Sequence, residues 1–255
     1  MNNILVISGF DATASAGILL DCHIVKMLNF EPFAILPAFS VQNHDGVSGV
    51  VKFTAENLRI QLKNIPKNTP LTPKFAKIGL LQNIEAIEIV AEFLSQNDIF
   101  TVVDTPFISS SGVELVENLE EYVQVFRNKL LPYVEMLTPN QSEIDILGGI
   151  NTIFSYGCKR ILEKGGHSLT KLFSTDILHL PNGMTEFTLP RVNYYENIRG
   201  TGCALSTAIL CFLAKGLSIE KSIEVAKQFV YDGILNSVQV NEKTRVLKLH
   251  DKSYN

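Results

Sequence analysis

The sequence predicts an α/β protein with a mostly parallel central sheet covered by helices on both faces. Two observations carry that prediction. Short apolar runs of strand length alternate with helical patterns along most of the chain, which is the order a parallel sheet with crossover helices requires. The 255 residues are 46% hydrophobic and 19% charged, enough to bury a large core and too apolar for a disordered chain. No repeat, low-complexity tract or Pro/Ser-rich linker divides them, so a single domain over residues 1–255 is expected.

The elements follow in order. Residues 3–8 form a short β-branched run that stops at Gly9 and gives way to a turn of small and polar residues, Asp11 to Ser15. Ile18, Leu19, Cys22 and Val25 then recur at helical spacing, Asn29 stops that helix, and residues 33–36 begin another apolar strand. The alternation continues with a strand over 76–78, a helix over 84–94, a strand over 100–103, a helix around 115–130 and a strand over 134–137. Beyond Thr138 the spacing predicts a helix over 141–147 and a strand over 160–163. A hairpin of 177–180 with 186–189 is expected around Pro181-Asn182-Gly183, giving an antiparallel edge. Two helices end the pattern, one from Gly202 to Lys215 and one from a Ser218 N-cap to about Val238.

Charge and cysteine usage exclude several function classes. A net charge of −4 and the lack of any Lys/Arg run argue against nucleic acid or an anionic membrane surface as partner. The N-terminal MNNILVISGF has no basic stretch followed by a long apolar one, and no apolar run reaches ~18 residues, so a cytoplasmic location is expected. Cys22, Cys158, Cys203 and Cys211 show neither zinc spacing nor a disulfide framework, and any functional cysteine should be a free thiol.

Four segments carry candidate chemistry, each with a plainer reading beside it. Gly200-Thr201-Gly202-Cys203 is a Gly-rich turn running straight into an apolar helix, where converging backbone N–H groups and the helix dipole suit an anion such as a transferring phosphoryl group. Cys203, in the first helical turn, has a position that can lower a thiol pKa and supply a thiolate base; a small buried core cysteine fits as well. Asp11 to Gly17 occupies the usual ligand position after the first strand, with Asp21 one turn into the helix, facing either the crevice or the helix dipole. Asn140 and Glu143 open a helix after a strand, as partners of a hydrated Mg²⁺ or as a capping box. Lys164 ends another strand, as a phosphate contact or a solvated Lys. Neither a Walker A nor a GxGxxG motif occurs.

Together and in this order these segments resemble the ribokinase superfamily, and within it the hydroxymethylpyrimidine and hydroxymethylpyrimidine-phosphate kinases of thiamine synthesis. The resemblance spans nearly the whole chain: Ser8-Gly9-Phe10-Asp11 with Ala16-Gly17-Ile18 and Asp21; Val41-Gln42-Asn43 with Gly46-Val47; Lys77-Ile78-Gly79-Leu80-Leu81; Val103-Asp104; Thr138-Pro139-Asn140 with Glu143; Lys164-Gly165-Gly166-His167; and Gly200-Thr201-Gly202-Cys203. Cysteine in the last motif narrows the resemblance, since most ribokinase relatives carry Asp there and the pyrimidine kinases carry Cys, as do kinases of the same superfamily that phosphorylate pyridoxal.

The resemblance implies a ribokinase-like three-layer fold and a homodimer. It makes Cys203 the base toward the substrate hydroxymethyl group, with Gly200, Thr201 and Gly202 the anion hole. Gly9, Asp21, Gln42 and Pro106 fall on the heterocycle side, Asn140, Lys164 and Gly166 on the ATP side, and Glu143 on Mg²⁺. The implied activity is ATP-dependent phosphorylation of 4-amino-5-hydroxymethyl-2-methylpyrimidine and/or its monophosphate. The alternatives are a pyridoxal-type kinase and a non-catalytic pyrimidine-binding homologue. The chain departs from the family pattern in four places, one of them Asn151 to Cys158, short for the helix usually present before the next strand. Ala12-Thr13-Ala14-Ser15 stands where the family has Pro-Ser-Gly-Gly, Thr105-Pro106-Phe107 is expected to place a bulkier ring near the heterocycle, and Arg199 replaces a frequent His beside the anion hole.

Overall fold

The structure, a computed structural model, describes residues 3–43, 46–108, 115–116, 118–165, 172–192 and 198–250. The chain runs β1 (Asn3–Ile7), β2 (Phe10–Asp11), α1 (Gly17–Met27), β3 (Glu31–Ile35), β4 (Ala38–Asn43), β5 (Gly46–Lys52), α2 (Ala55–Lys63), β6 (Phe75–Ile78), α3 (Ile84–Ser95) and β7 (Phe100–Val103). It continues with α4 (Leu119–Val125), β8 (Met136–Leu137), α5 (Gln141–Ile146), α6 (Ile150–Ser155), β9 (Ile161–Glu163), β10 (Phe173–Leu180), β11 (Gly183–Pro190), β12 (Ile198–Arg199), α7 (Thr201–Ala214), α8 (Ile219–Leu235), β13 (Val238–Gln239) and β14 (Arg245–Val246).

The main sheet has eight strands in the order β11-β10-β9-β8-β7-β6-β1-β3. From β3 to β9 every pairing is parallel, and the β9–β10–β11 edge is antiparallel, as the hairpin residues predict. β1 is buried along its whole length, and its alternation explains the layers. Leu5 and Ile7 enter one core beside Ile87, Val90 and Phe126, and Ile4 and Val6 enter the other beside Ile24, Ile209 and Phe229. α1, α7 and α8 thus cover one face, and α3 with the helical chain from Leu119 onward covers the other.

Helix starts follow local chemistry. The Asn83 side chain accepts from Ala86 N and that of Ser218 from Lys221 N. α1 stops where Asn29 takes a left-handed φ of 68°. The helix expected around 115–130 instead begins at Leu119 and passes through a π turn (Phe126–Leu130) into a 3₁₀ turn (Leu131–Tyr133), where Pro132 has no N–H to continue an α ladder. That turn takes up Val134 through its N–H to Leu131 O and shortens the strand expected over 134–137 to two residues.

Candidate active site

Each parallel strand hands its last hydrogen bond to a residue of the next motif. Gly79 N reaches Ile7 O (2.8 Å), Asp104 N reaches Ile78 O (2.8 Å), Thr138 N reaches Val103 O (2.9 Å) and Lys164 N reaches Pro139 O (2.8 Å). The ladders therefore place these segments side by side at the carboxyl edge of the sheet. β1 lies between β3 and β6, so the strand order reverses there, the usual ligand position in an open α/β sheet.

Two helix starts and one loop close over that edge. Gly200 is the residue before α7 and has a φ of +83°; a Cβ there would stand 2.0 Å from Ser15 O, so only glycine lets α7 begin against the 11–16 loop. Ala204 N makes the first bond back to Gly200 O (2.9 Å), leaving the amides of Thr201, Gly202 and Cys203 ahead of the helical ladder, as an anion site requires. The loop holds its shape through Asp11, which accepts from Thr13 N (2.9 Å), Thr13 Oγ1 (2.8 Å) and Ser15 Oγ (3.2 Å). Ala14 takes a left-handed φ of 54°. Where the family has glycine, the backbone keeps a glycine-like conformation.

A string of charges lies beneath. Lys77 Nζ contacts Asp21 Oδ2 at 2.8 Å, neither side chain has any exposed surface, and Thr207 Oγ1 donates to Asp21 Oδ1 at 2.8 Å. Burial pushes the Asp21 carboxyl up while Lys77 and Thr207 pull it back. Burial also opposes the ammonium of Lys77, but Asp21 holds it above the usual lysine range. At the neighbouring strand ends Lys164 Nζ lies 2.6 Å from Asp104 Oδ1 and 3.8 Å from Glu143 Oε2. Against the effect of burial, Lys164 and Lys77 keep Asp104 below the usual carboxylate range, while Lys164 itself is raised to about 12 by Asp104 and Glu143. Glu143 is pushed up to about 7, chiefly by burial and despite Lys164. A Cβ on Gly202 would stand 3.4 Å from Lys164 Nζ and 3.6 Å from Asp104 Oδ2, so the α7 start faces this cluster directly.

Most of the expected residues converge on this edge. Gly200, Thr201, Gly202, Cys203 and Lys164 meet there, Gly9 O caps Ile18 N of α1 (2.9 Å), and Asn140 with Glu143 opens α5. Glu143 also forms the capping box: Asn140 Oδ1 accepts from Glu143 N (2.9 Å) and Asn140 N donates to Glu143 Oε2 (2.7 Å). Gln42 sits on β4 just past an irregularity in its pairing with β5. Gly166 lies outside the described residues. Other expectations need correction. Asp21 does not line the crevice: it is fully enclosed and both its oxygens are taken by Lys77 and Thr207. Burial pushes the Cys203 thiol up to about 11, whereas the helix start suggested a lowered value. The Phe107 ring after Pro106 turns into the core, edge-on to Tyr122 and Phe126 at 5.8 and 5.5 Å. Arg199, immediately before Gly200, donates to Asn43 O at 2.8 Å and lies 3.7 Å from Asp11 Oδ2, which is no departure from the expected cation beside the turn.

Lys77, Asp104 and Thr207 had no role assigned from sequence. A lysine in the otherwise apolar run Phe75-Ala76-Lys77-Ile78 is the one signal that could have marked the first of them.

The phosphomethylpyrimidine kinase family matches residues 11–248. The chain belongs to that family. It is 34% identical to the hydroxymethylpyrimidine/phosphomethylpyrimidine kinase of Aquifex aeolicus, covering 95% of this chain and 98% of that one, and 30% identical to the enzyme of the same name from Bacillus subtilis, over 92% and 90%. Among solved structures it resembles phosphomethylpyrimidine kinase from Clostridium difficile (TM-score 0.77, 27% identity, 92% and 100% covered) and pyridoxal kinase from Staphylococcus aureus in complex with AMP-PCP (TM-score 0.84, 24% identity, 97% and 93% covered). The family fold is the one that the alternating strands and helices predict.

Proposed function

We propose that the protein transfers the γ-phosphoryl group of ATP to the hydroxymethyl oxygen of 4-amino-5-hydroxymethyl-2-methylpyrimidine and/or its monophosphate, in thiamine synthesis. The observation that carries this is the α7 start: a turn with three unladdered amides, followed by a thiol, is set with Gly202 against Lys164 and Asp104 at the sheet edge. In the reaction the hydroxymethyl oxygen bonds to the γ-phosphorus, the bond from that phosphorus to its bridging oxygen breaks, ADP departs, and the hydroxyl proton passes to the Cys203 sulfur as thiolate. The amides of Thr201, Gly202 and Cys203 hold the oxygens of the moving group, and Lys164 balances their charge; catalysis of this kind is mainly positioning plus charge stabilisation.

Mg²⁺ fits the donor set as a hydrated ion. The contacts described for the Glu143 carboxylate, from Asn140 N, Thr105 Oγ1 and Lys164, fall on Oε2, and this carboxylate would hold the ion. A hydrated Mg²⁺ of this kind is held by one carboxylate and the substrate phosphates. Bound there, Mg²⁺ would neutralise phosphate charge. The reading carries with it a cytoplasmic location and a homodimer; size-exclusion chromatography checks the homodimer.

The test is ADP release by the purified chain with the pyrimidine alcohol, its monophosphate and pyridoxal. Turnover on either pyrimidine that falls ~10²-fold or more in Cys203→Ala, the scale of a lost base, is expected. Turnover on pyridoxal alone, or on none of the three, overturns the proposal.

A further inference from the structure

Besides the main sheet the fold has two three-stranded sheets, β2-β4-β5 and β12-β14-β13, each a separate ladder. The first carries the loop side of the site. β2 pairs in parallel with β4, which brings Asp11 opposite Ser40, and β4 ends at Gln42, expected on the heterocycle side, and Asn43. The second carries the turn side: β12 is Ile198 and Arg199, directly before Gly200, and Arg199 is paired with Val246 of β14. The Arg199 side chain crosses from one sheet to the other. Its Nη1 donates to Asn43 O at 2.8 Å, and its Nη2 lies 3.7 Å from Asp11 Oδ2. Asp11 is the carboxylate that holds Thr13 and Ser15, and Ser15 O is the atom that a Cβ on Gly200 would strike. The Asp11 and Arg199 side chains are only 2% and 14% exposed, so solvent screens their attraction weakly.

We propose that Arg199 is a positioning residue for phosphoryl transfer: by tying the turn before α7 to Asp11 and to the end of β4, it holds the anion-binding amides in register with the acceptor hydroxyl. The inference deepens the kinase reading and rests on it. A planar guanidinium, with its N–H donors in a fixed fork, serves two partners at once, whereas an ammonium is a point charge on a flexible stem. The backbone of Arg199 is fixed from the other side by Val246, and the neighbouring Arg245 donates through Nε to Ser237 Oγ at 2.9 Å, so the strand behind Arg199 is itself anchored just past the end of α8. Movement of the 11–16 loop or of the end of β4 is thereby passed to Gly200. In-line transfer is sensitive to such placement, since a shift of about 1 Å caused by a residue away from the chemistry can cost about 10²-fold in rate. A cation needed only for its charge would serve as well from a lysine, which makes the two roles separable.

The experiment compares the full chain as wild type, Arg199→Lys and Arg199→Met. It measures kcat, the KM for ATP and for the pyrimidine alcohol, the melting temperature, and hydrogen exchange by mass spectrometry in the peptides covering 11–16 and 200–206. Ala14 N donates to Asp11 O and Ala204 N to Gly200 O, so these two peptides report the loop and the turn. Both variants should lose about 10²-fold in kcat with each KM within about threefold of wild type, the pattern of an interaction that counts in the transition state. Both peptides should exchange several-fold faster together. A lysine variant with wild-type kcat overturns the proposal, because charge beside the turn would then suffice. A loss confined to the KM for ATP overturns it as well, by marking a direct contact with the nucleotide, and so does a lower melting temperature with kcat unchanged, which is what a purely structural tie would give. Unchanged exchange in either peptide shows that loop and turn are held without Arg199 and overturns it too. If the wild type turns over neither pyrimidine, the kinase reading falls by itself: faster exchange of both peptides in Arg199→Met would still uphold the tie, and unchanged exchange would overturn it.

Discussion

Cys203 illustrates how burial and a helix terminus compete at one atom. The first turn of α7 offers partial positive charge, but enclosure by α1 and the sheet edge outweighs it and holds the thiol at about 11. Below that value the thiolate fraction grows tenfold per pH unit, so kcat with the pyrimidine alcohol is expected to climb steeply between pH 7 and 9. A flat profile there would show that proton transfer to this sulfur does not limit turnover. Glu143 presents the opposite balance. Its carboxyl titrates at about 7 in the fold against an ordinary value of 4.5, so folding favours the protonated form; that contribution is complete below pH 4.5 and is lost as the pH rises through 7. Glu143→Gln keeps a side chain able to close the capping box, and should therefore raise the melting temperature at pH 8, by ~2–4 °C for each kcal/mol recovered, and change it little at pH 5. Mg²⁺-dependent turnover should fall in the same variant. Equal melting temperatures at pH 8 would overturn the burial argument. The sequence placed both residues at helix starts but hid their environments, because the charges around them come from other elements: Lys77, Asp21 and Asp104 for Cys203, and Lys164 and Asp104 for Glu143.

Between residues and fold stands the 11–16 loop, which α1 and α7 clasp from either side. Loss of the family glycines suggested an altered loop, yet Asp11 rebuilds the turn with Thr13 and Ser15, and Ala14 accepts a φ of 54°. A left-handed alanine costs roughly 1–2 kcal/mol, and glycine removes that strain while adding freedom to the unfolded chain. Ala14→Gly is therefore expected to stabilise the protein by up to about 1 kcal/mol, measured as a higher urea midpoint with unchanged slope; a lower midpoint would show that the alanine is not strained. Elements of this size mark where sequence patterns stop working. The alternating strands and the long helices α3, α7 and α8 were legible from apolar period and caps. α2 was not, since Ala-Glu-Asn-Leu-Arg-Ile-Gln-Leu-Lys buries only Leu58 and Leu62 and has little apolar stripe. β2, β12, β13 and β14 were missed because strands of two residues have no alternation to detect, and β4 and β5, though longer, pair with a register shift at Val41/Gln42 that breaks their pattern.

Across the whole molecule one buried tie joins a face helix, the antiparallel edge and the site. Lys227 on α8 reaches Asp176 on β10 at 2.6 Å, and the other oxygen of Asp176 accepts Gly165 N at 2.8 Å, the peptide immediately after Lys164. Both side chains are nearly enclosed, at 8% and 4% exposure, and a Cβ on Gly165 would lie 1.6 Å from Thr175 O, so the turn is pressed against the edge strand. The position of Lys164 thus depends on contacts made on the far side of β9. Lys227→Met leaves a buried carboxylate without its cation and is expected to cost ~3–5 kcal/mol, whereas the double variant Lys227→Met/Asp176→Leu should recover most of that loss. Nucleotide binding should separate from stability. In the double variant Gly165 N loses its acceptor, so the affinity for a non-hydrolysable ATP analogue is expected to stay weakened several-fold after the melting temperature has returned, while binding of the pyrimidine is expected to stay as before. Calorimetric titration of each ligand decides it: recovery of nucleotide affinity together with stability would show that the tie supports only the fold, and parallel loss of both ligands would show that the edge strand shapes the entire crevice.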